Sequence, residues 1–204
     1  MTLENEIKGL CTRAKTIGFF GSYTRSDYVE GVSDINVFAL SEDKSLLLEL
    51  ASLGVTPLVL RDQELKALCD AGEPLCYYLL YDSKLVCGSL EGFRFNKTNV
   101  TCLRLLYYSK SLVKIAIEGF LRGDQVSSVL NSYRSVKSYL RYRCCERGEI
   151  PLSDEEVMKC CNNIGGEMCD LFLKIVRSRR DGTPVGFSVV KKVREITLGP
   201  ESTA

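Results

Sequence analysis

A chain of 204 residues, 45% hydrophobic and with a net charge of +1, can bury the core of one large or two modest domains. That near-neutral balance does not by itself indicate nucleic acid, and no run approaches the roughly 20 apolar residues of a membrane span. Histidine is absent, which removes Ser-His and Cys-His nucleophile pairs and every imidazole base. At the start of the chain, Leu3, Ile7, Leu10, Ala14 and Ile17 alternate at helical spacing with Glu4, Glu6, Lys8 and Arg13. This predicts a charged amphipathic helix rather than a signal peptide, and so a cytoplasmic chain.

Ile17-Gly18-Phe19-Phe20 reads as a strand, Gly21-Ser22 as a tight turn leading into a short helix with Arg25, and Asp34-Ile35-Asn36-Val37 as the next strand, continuing through Phe38-Ala39-Leu40. Residues two apart on a strand share a face, so Asp34 and Asn36 are expected to project together. A residue without Cβ lets backbone N–H groups approach a phosphate. The pattern resembles the signature of the nucleotidyltransferases related to DNA polymerase β, specifically the minimal members, in which a Gly-Ser pair precedes an acid, any residue, acid motif on the next strand. The resemblance covers nearly all of residues 1–95 and only the general character of the rest.

The resemblance implies that Gly21, Ser22 and Arg25 hold a nucleoside triphosphate. It places Asp34 and Asn36 at the catalytic positions, Asp34 as the ligand of Mg²⁺, with a nucleoside monophosphate passing to a hydroxyl acceptor that the sequence does not identify. Two departures matter. Asn36 stands where the family carries a second carboxylate, and the later apolar run contains Pro57 where a third is expected. An amide offers Mg²⁺ an uncharged oxygen only, so weak metal binding and weakened or lost transfer are expected. A non-catalytic nucleotide-binding or regulatory protein, or an antitoxin-like scaffold, stays open beside the enzyme.

Farther along, a helix is predicted over 42–53 and a strand over 55–60, at a sheet edge because Pro57 lacks a ladder donor. Asp62 is read as the N-cap of a following helix rather than as a relocated metal ligand. A strand pair is predicted over 75–81 and 84–87, joined at Asp82-Ser83, and a turn-rich stretch closes the first half. Together these give a mixed-sheet, nucleotidyltransferase-like domain over 1–95.

The second half reads as helices. One runs from 98 or 99 to 121 and stops at Arg122-Gly123. A second, capped by Asp124, covers 125–147. Ser153 and Glu156, three apart, form a capping box that opens a third running to about residue 180. A turn at 181–184 precedes a fourth helix over 185–198, less clear because of its β-branched residues. The fold class is therefore α+β, with the mixed-sheet domain followed by an antiparallel helical bundle over 98–198.

Charge divides along the same line: 10 basic and 14 acidic residues in 1–99 give −4, while 17 and 12 in 100–204 give +5. Lys110 and Lys114, and the row Arg134, Lys137, Arg141 among Tyr133, Tyr139 and Tyr142, have helical spacing. By the resemblance they are nucleotide-binding candidates facing Gly21-Ser22 across a cleft; the alternative is a solvated basic face. The implied partner is a nucleoside triphosphate, without a membrane, and pairing of two copies stays open.

Ten cysteines without a CxxC fit no zinc pattern, although four from the doublets Cys144-Cys145 and Cys160-Cys161 remain a zinc alternative. Folding back near residues 150–152 brings the doublets together, predicting a disulfide between them. Disulfide-rich intracellular chains are characteristic of hyperthermophiles, which suggests that origin; buried free thiols are the alternative.

Overall fold

The computed structural model describes residues 2–199 and divides into two compact units between Thr98 and Asn99. In the first, α1 (Leu3–Gly9) and a 3₁₀ turn lead into β1 (Thr16–Phe20), followed by β2 (Asn36–Leu40), α2 (Leu46–Ser52), β3 (Thr56–Leu60), α3 (Asp62–Asp70), α4 (Pro74–Tyr81) and β4 (Ser83–Cys87). The sheet is mixed, in the order β3-β2-β1-β4, with β1 antiparallel to both neighbours and β2 parallel to β3. Pro57 thus lies on an edge strand, as its missing N–H requires.

Both faces of the sheet are covered, which is why β2 carries the unbroken run Val37-Phe38-Ala39-Leu40 rather than an alternating pattern. Val37 and Ala39 pack with Ile7, Leu46 and Leu50 on one side. Phe38 and Leu40 pack with Leu65, Cys69, Cys76 and Leu79 of α3 and α4 on the other.

Three local readings are corrected. Residues 75–81 are helix α4, not a strand: Pro74 occupies its first turn, and Leu-Cys-Tyr-Tyr-Leu-Leu-Tyr contains no β-branched residue to favour extension. The α3 cap is supplied by Glu64, whose carboxylate accepts the Arg61 N–H at 2.7 Å, while Asp62 is already inside the first turn and pairs with Lys15. The helix expected from residue 42 begins only at Leu46, because Asp43 engages the backbone locally, accepting from the Ser45 N–H at 3.0 Å and the Ser45 hydroxyl at 2.6 Å.

Those Ser45 bonds, together with Arg13, lower the Asp43 pKa from 3.8 to about 2. A depressed carboxylate stabilises the fold fully above its unfolded pKa and loses that contribution as pH falls through the folded one. Carboxyl NMR is expected to place the Asp43 midpoint near 2, and Ser45→Ala to move it up toward 3.8. A wild-type midpoint near 4 would show that these bonds do not persist in solution.

The second unit comprises α5 (Thr101–Leu121), α6 (Gln125–Cys145), α7 (Asp154–Ile164), α8 (Glu167–Asp181) and α9 (Phe187–Leu198). Asp124 caps α6 through the Ser127 N–H at 2.9 Å, and Ser153 and Glu156 close the capping box of α7. α6 is central, packing against α5, α7, α8 and α9. Its contact with α5 is a serine seam, in which Ser109 and Ser135 each donate a hydroxyl to the other's carbonyl, at 2.8 and 3.0 Å. The single helix expected over 154–180 is two, broken at Gly165-Gly166, whose φ values of 75° and 103° no other residue type adopts readily.

All ten cysteines are paired: Cys11–Cys87, Cys69–Cys76, Cys102–Cys145, Cys144–Cys160 and Cys161–Cys169. One bond joins the two doublets as expected. Neither free thiols nor a zinc site built from the doublets remains. No helix among the described residues is long and apolar enough to cross a membrane.

Candidate functional site

β1 ends at Phe20, and its antiparallel register sets Phe20 opposite Asn36 at the start of β2. The chain leaves β1 through Gly21, at φ 80°, into a 3₁₀ turn over Gly21–Thr24. Gly21 and Asn36 are thereby brought together: a Cβ on Gly21 would lie 3.2 Å from Asn36 Nδ2. A larger residue there would be strained in its backbone and would crowd the amide. Asp34 lies two residues before the strand and is exposed, while Asn36 is half-buried.

The turn is fastened to the beginning of β4. The Gly21 N–H and the Thr24 hydroxyl both donate to the Asp82 carbonyl, at 3.3 Å each, and Thr24 Oγ1 also reaches Gly21 O at 2.8 Å. A helical turn leaves its opening N–H groups outside its own bonding ladder. With the Gly21 N–H engaged by Asp82, and the 3₁₀ ladder of i+3 to i bonds taking the N–H groups from Tyr23 onward, that of Ser22 is the donor the turn can offer an anion.

Arg25 is placed differently from the expectation. Its Nε and Nη2 donate to Asp27 at 2.9 and 3.2 Å, Nη1 pairs with Asp82, and its side chain is only 15% exposed. Burial opposes its charge, but the bonds to Asp27 and Asp82 outweigh that and hold the guanidinium above its ordinary pKa. Arg25 therefore acts first as a strut between two buried carboxylates. Neither partner was singled out from sequence; Asp27, two residues after Arg25, was the available signal.

The register of β3 changes the metal argument. Asn36 pairs with Thr56 and Phe38 with Leu58, whereas Pro57 pairs with Val37. Paired residues share a face, so Pro57 points to the side opposite Asn36 and does not occupy the place of a third ligand. The position beside Asn36 belongs to Thr56. One carboxylate, one amide and one hydroxyl do not make the anionic donor set that two Mg²⁺ ions require. Among the described residues no group of three Cys, Asp or Glu side chains is assembled for a metal.

The basic candidates belong to the second unit. Lys114 is exposed and Lys110 half-buried on α5. On α6, Arg134 is half-buried, and Arg141 donates Nε to the Pro151 carbonyl at 2.8 Å and Nη2 to that of Leu152, tying down the α6–α7 connection. Lys137 is interior: its ammonium lies 2.8 Å from Asp154 Oδ1 and 3.1 Å from the Tyr133 hydroxyl, with 7% of the side chain exposed. The expected surface row is interrupted at its centre, so a solvated basic face does not describe it.

No protein-family model and no curated protein sequence matches the chain.

Proposed function

We propose that this chain is a nucleotidyltransferase-like protein that binds a nucleoside triphosphate at the Gly21-Ser22 turn and lacks the ligand set for efficient nucleotidyl transfer. The observation that carries the reading is the meeting of Gly21, at positive φ, with Asn36 at the facing ends of β1 and β2, with Asp34 two residues upstream. In this reading the Ser22 N–H contacts phosphate, and Arg25, braced by Asp27 and Asp82, keeps the turn in shape. Asn36, in place of a carboxylate, removes the charge that would repel a triphosphate without its metal. We place the protein in the cytoplasm of a hyperthermophile, where an intracellular chain can hold five disulfides; recovery from the host's extracellular fraction would displace that part.

Isothermal titration with each nucleoside triphosphate tests the proposal. Binding should differ by no more than about threefold with and without Mg²⁺. Weakened transfer is the second reading, favoured by the retention of Asp34. Asn36→Asp restores the paired carboxylates, so it is expected to make binding Mg²⁺-dependent and to give detectable transfer if the rest of the site is competent. Absence of triphosphate binding in the wild type would reject the nucleotide reading and leave a protein-interaction scaffold. Unchanged metal dependence in the variant would show that positions 34 and 36 do not form one site.

A further inference from the structure

The residue that follows Ser22 is an exposed tyrosine held in a defined aromatic cluster. Tyr23 packs its ring against Phe19, itself 2% exposed on β1, with centroids 4.9 Å apart. Tyr28 meets it edge-to-face at 5.2 Å. Two neighbours therefore fix the Tyr23 ring, yet 37% of the residue remains open to solvent. A ring meant only to anchor the 21–34 connection would gain by burying that surface, because each exposed apolar area forgoes hydrophobic stabilisation. A rigid aromatic with an open side, one residue from the backbone donor for phosphate at Ser22, is suited to stacking a nucleobase.

We propose that Tyr23, braced by Phe19 and Tyr28, is the base-stacking platform of the nucleotide site and that it favours purines. The inference rests on the nucleotide reading of the Gly21-Ser22 turn and adds the class of base. Phosphate contacts carry no information about the base, so discrimination has to come from a group such as this ring. Stacking tolerates any base, but the bicyclic purines cover more of a single tyrosine face than pyrimidines do. Tyr28 acts as a positioning residue, holding the ring rather than touching the ligand.

The test compares inorganic tripolyphosphate, ATP, GTP, CTP and UTP by calorimetry on the wild type, Tyr23→Ala and Tyr23→Phe. ATP and GTP should bind the wild type about tenfold more tightly than tripolyphosphate and severalfold more tightly than CTP and UTP. Tyr23→Ala should remove that tenfold advantage while leaving tripolyphosphate affinity unchanged, and Tyr23→Phe should restore it. The chain has no tryptophan, so Tyr23→Trp supplies a unique fluorophore that a stacked purine should quench. Equal affinity of the wild type for tripolyphosphate and ATP overturns the platform and leaves the phosphate turn standing. Equal loss of both ligands in a folded Tyr23→Ala overturns it too, since the ring would then only shape the turn. Equal binding of purines and pyrimidines overturns the preference, and failure of tripolyphosphate to bind any form rejects the underlying turn as well.

Discussion

Peptide mapping without reductant is expected to recover five linkages, Cys11–Cys87, Cys69–Cys76, Cys102–Cys145, Cys144–Cys160 and Cys161–Cys169, and their reduction is expected to lower stability more than any surface substitution. The bonds differ in reach. Cys11–Cys87 spans 76 residues and fastens the amino-terminal segment to β4, whereas Cys69–Cys76 spans 7 and staples α3 to α4. In the chain-entropy model the first restricts the unfolded chain by about 4.5 kcal/mol and the second by about 2.4 kcal/mol. In the second unit, Cys102–Cys145 and Cys144–Cys160 span 43 and 16 residues and leave α6 from adjacent positions, one to α5 and one to α7. Their corresponding values are about 4 and about 3 kcal/mol. Cys144→Ser with Cys160→Ser should therefore cost about 3 kcal/mol in urea unfolding, and Cys11→Ser with Cys87→Ser somewhat more. Free thiols at Cys144 and Cys160, or unfolding midpoints that reductant does not move, would remove these bonds from the account of stability.

What could be read from the sequence was whatever local chemistry decides. Ser153 and Glu156 form their capping box from residues three apart, Asp124 caps α6 through its own turn, and Pro57 restricts β3 to an edge whatever packs around it. The β1–turn–β2 segment was legible because strand alternation and a conformationally free glycine act over a few residues. What failed depended on more distant partners. Residues 75–81 are uniformly apolar, a pattern compatible with a buried strand or a buried helix, and Pro74 was the signal that separates them. The resemblance put Pro57 at the place of a ligand; only the register against Val37 shows that it faces away. The doublets were matched correctly as groups, but the partners Cys102 and Cys169 lie outside them, and nothing local points to either. Gly165-Gly166, by contrast, was visible and overlooked: two adjacent glycines inside a helical pattern are a break signal in their own right.

The same distinction governs the candidate site. Gly21 and Asn36 meet because β1 and β2, consecutive strands joined through residues 21–35, pair antiparallel with Phe20 opposite Asn36. Arg25 was read as a phosphate ligand because the resemblance sets an arginine three residues after Ser22 beside the phosphate turn. Burial changes its chemistry: with Asp27 2% and Asp82 8% exposed, its nearest anions are already in the protein. Removing Arg25 would leave two carboxylates in a low-dielectric setting, so a loss of nucleotide binding in such a variant would not by itself identify a ligand.

Lys137 carries that lesson to its largest expected effect. As part of a surface row with Arg134 and Arg141, its replacement by alanine would leave the bundle folded. In the structure it lies 6% exposed on α6, with Asp154 of α7, itself 6% exposed, as its counter-ion. The Tyr133 hydroxyl donates to the same Asp154 oxygen at 2.6 Å, and the Tyr133 ring stacks on Phe172 of α8 at 6.0 Å. Lys137→Ala strips the carboxylate of its ammonium while keeping it buried, a change that typically costs about 3–5 kcal/mol, against about 0.5 kcal/mol or less for a substitution at an exposed position such as Lys114. Replacing the pair together, Lys137→Met with Asp154→Leu, removes both charges and should cost clearly less than the sum of the single changes. A double-mutant cycle in urea, with Lys114→Ala as the surface control, measures this directly. If Lys137→Ala unfolds at the same denaturant concentration as the wild type, the ion pair does not hold α6 to α7. If the loss is as large as expected, weakened triphosphate binding after substituting all three basic residues reports an unfolding bundle rather than a lost phosphate contact.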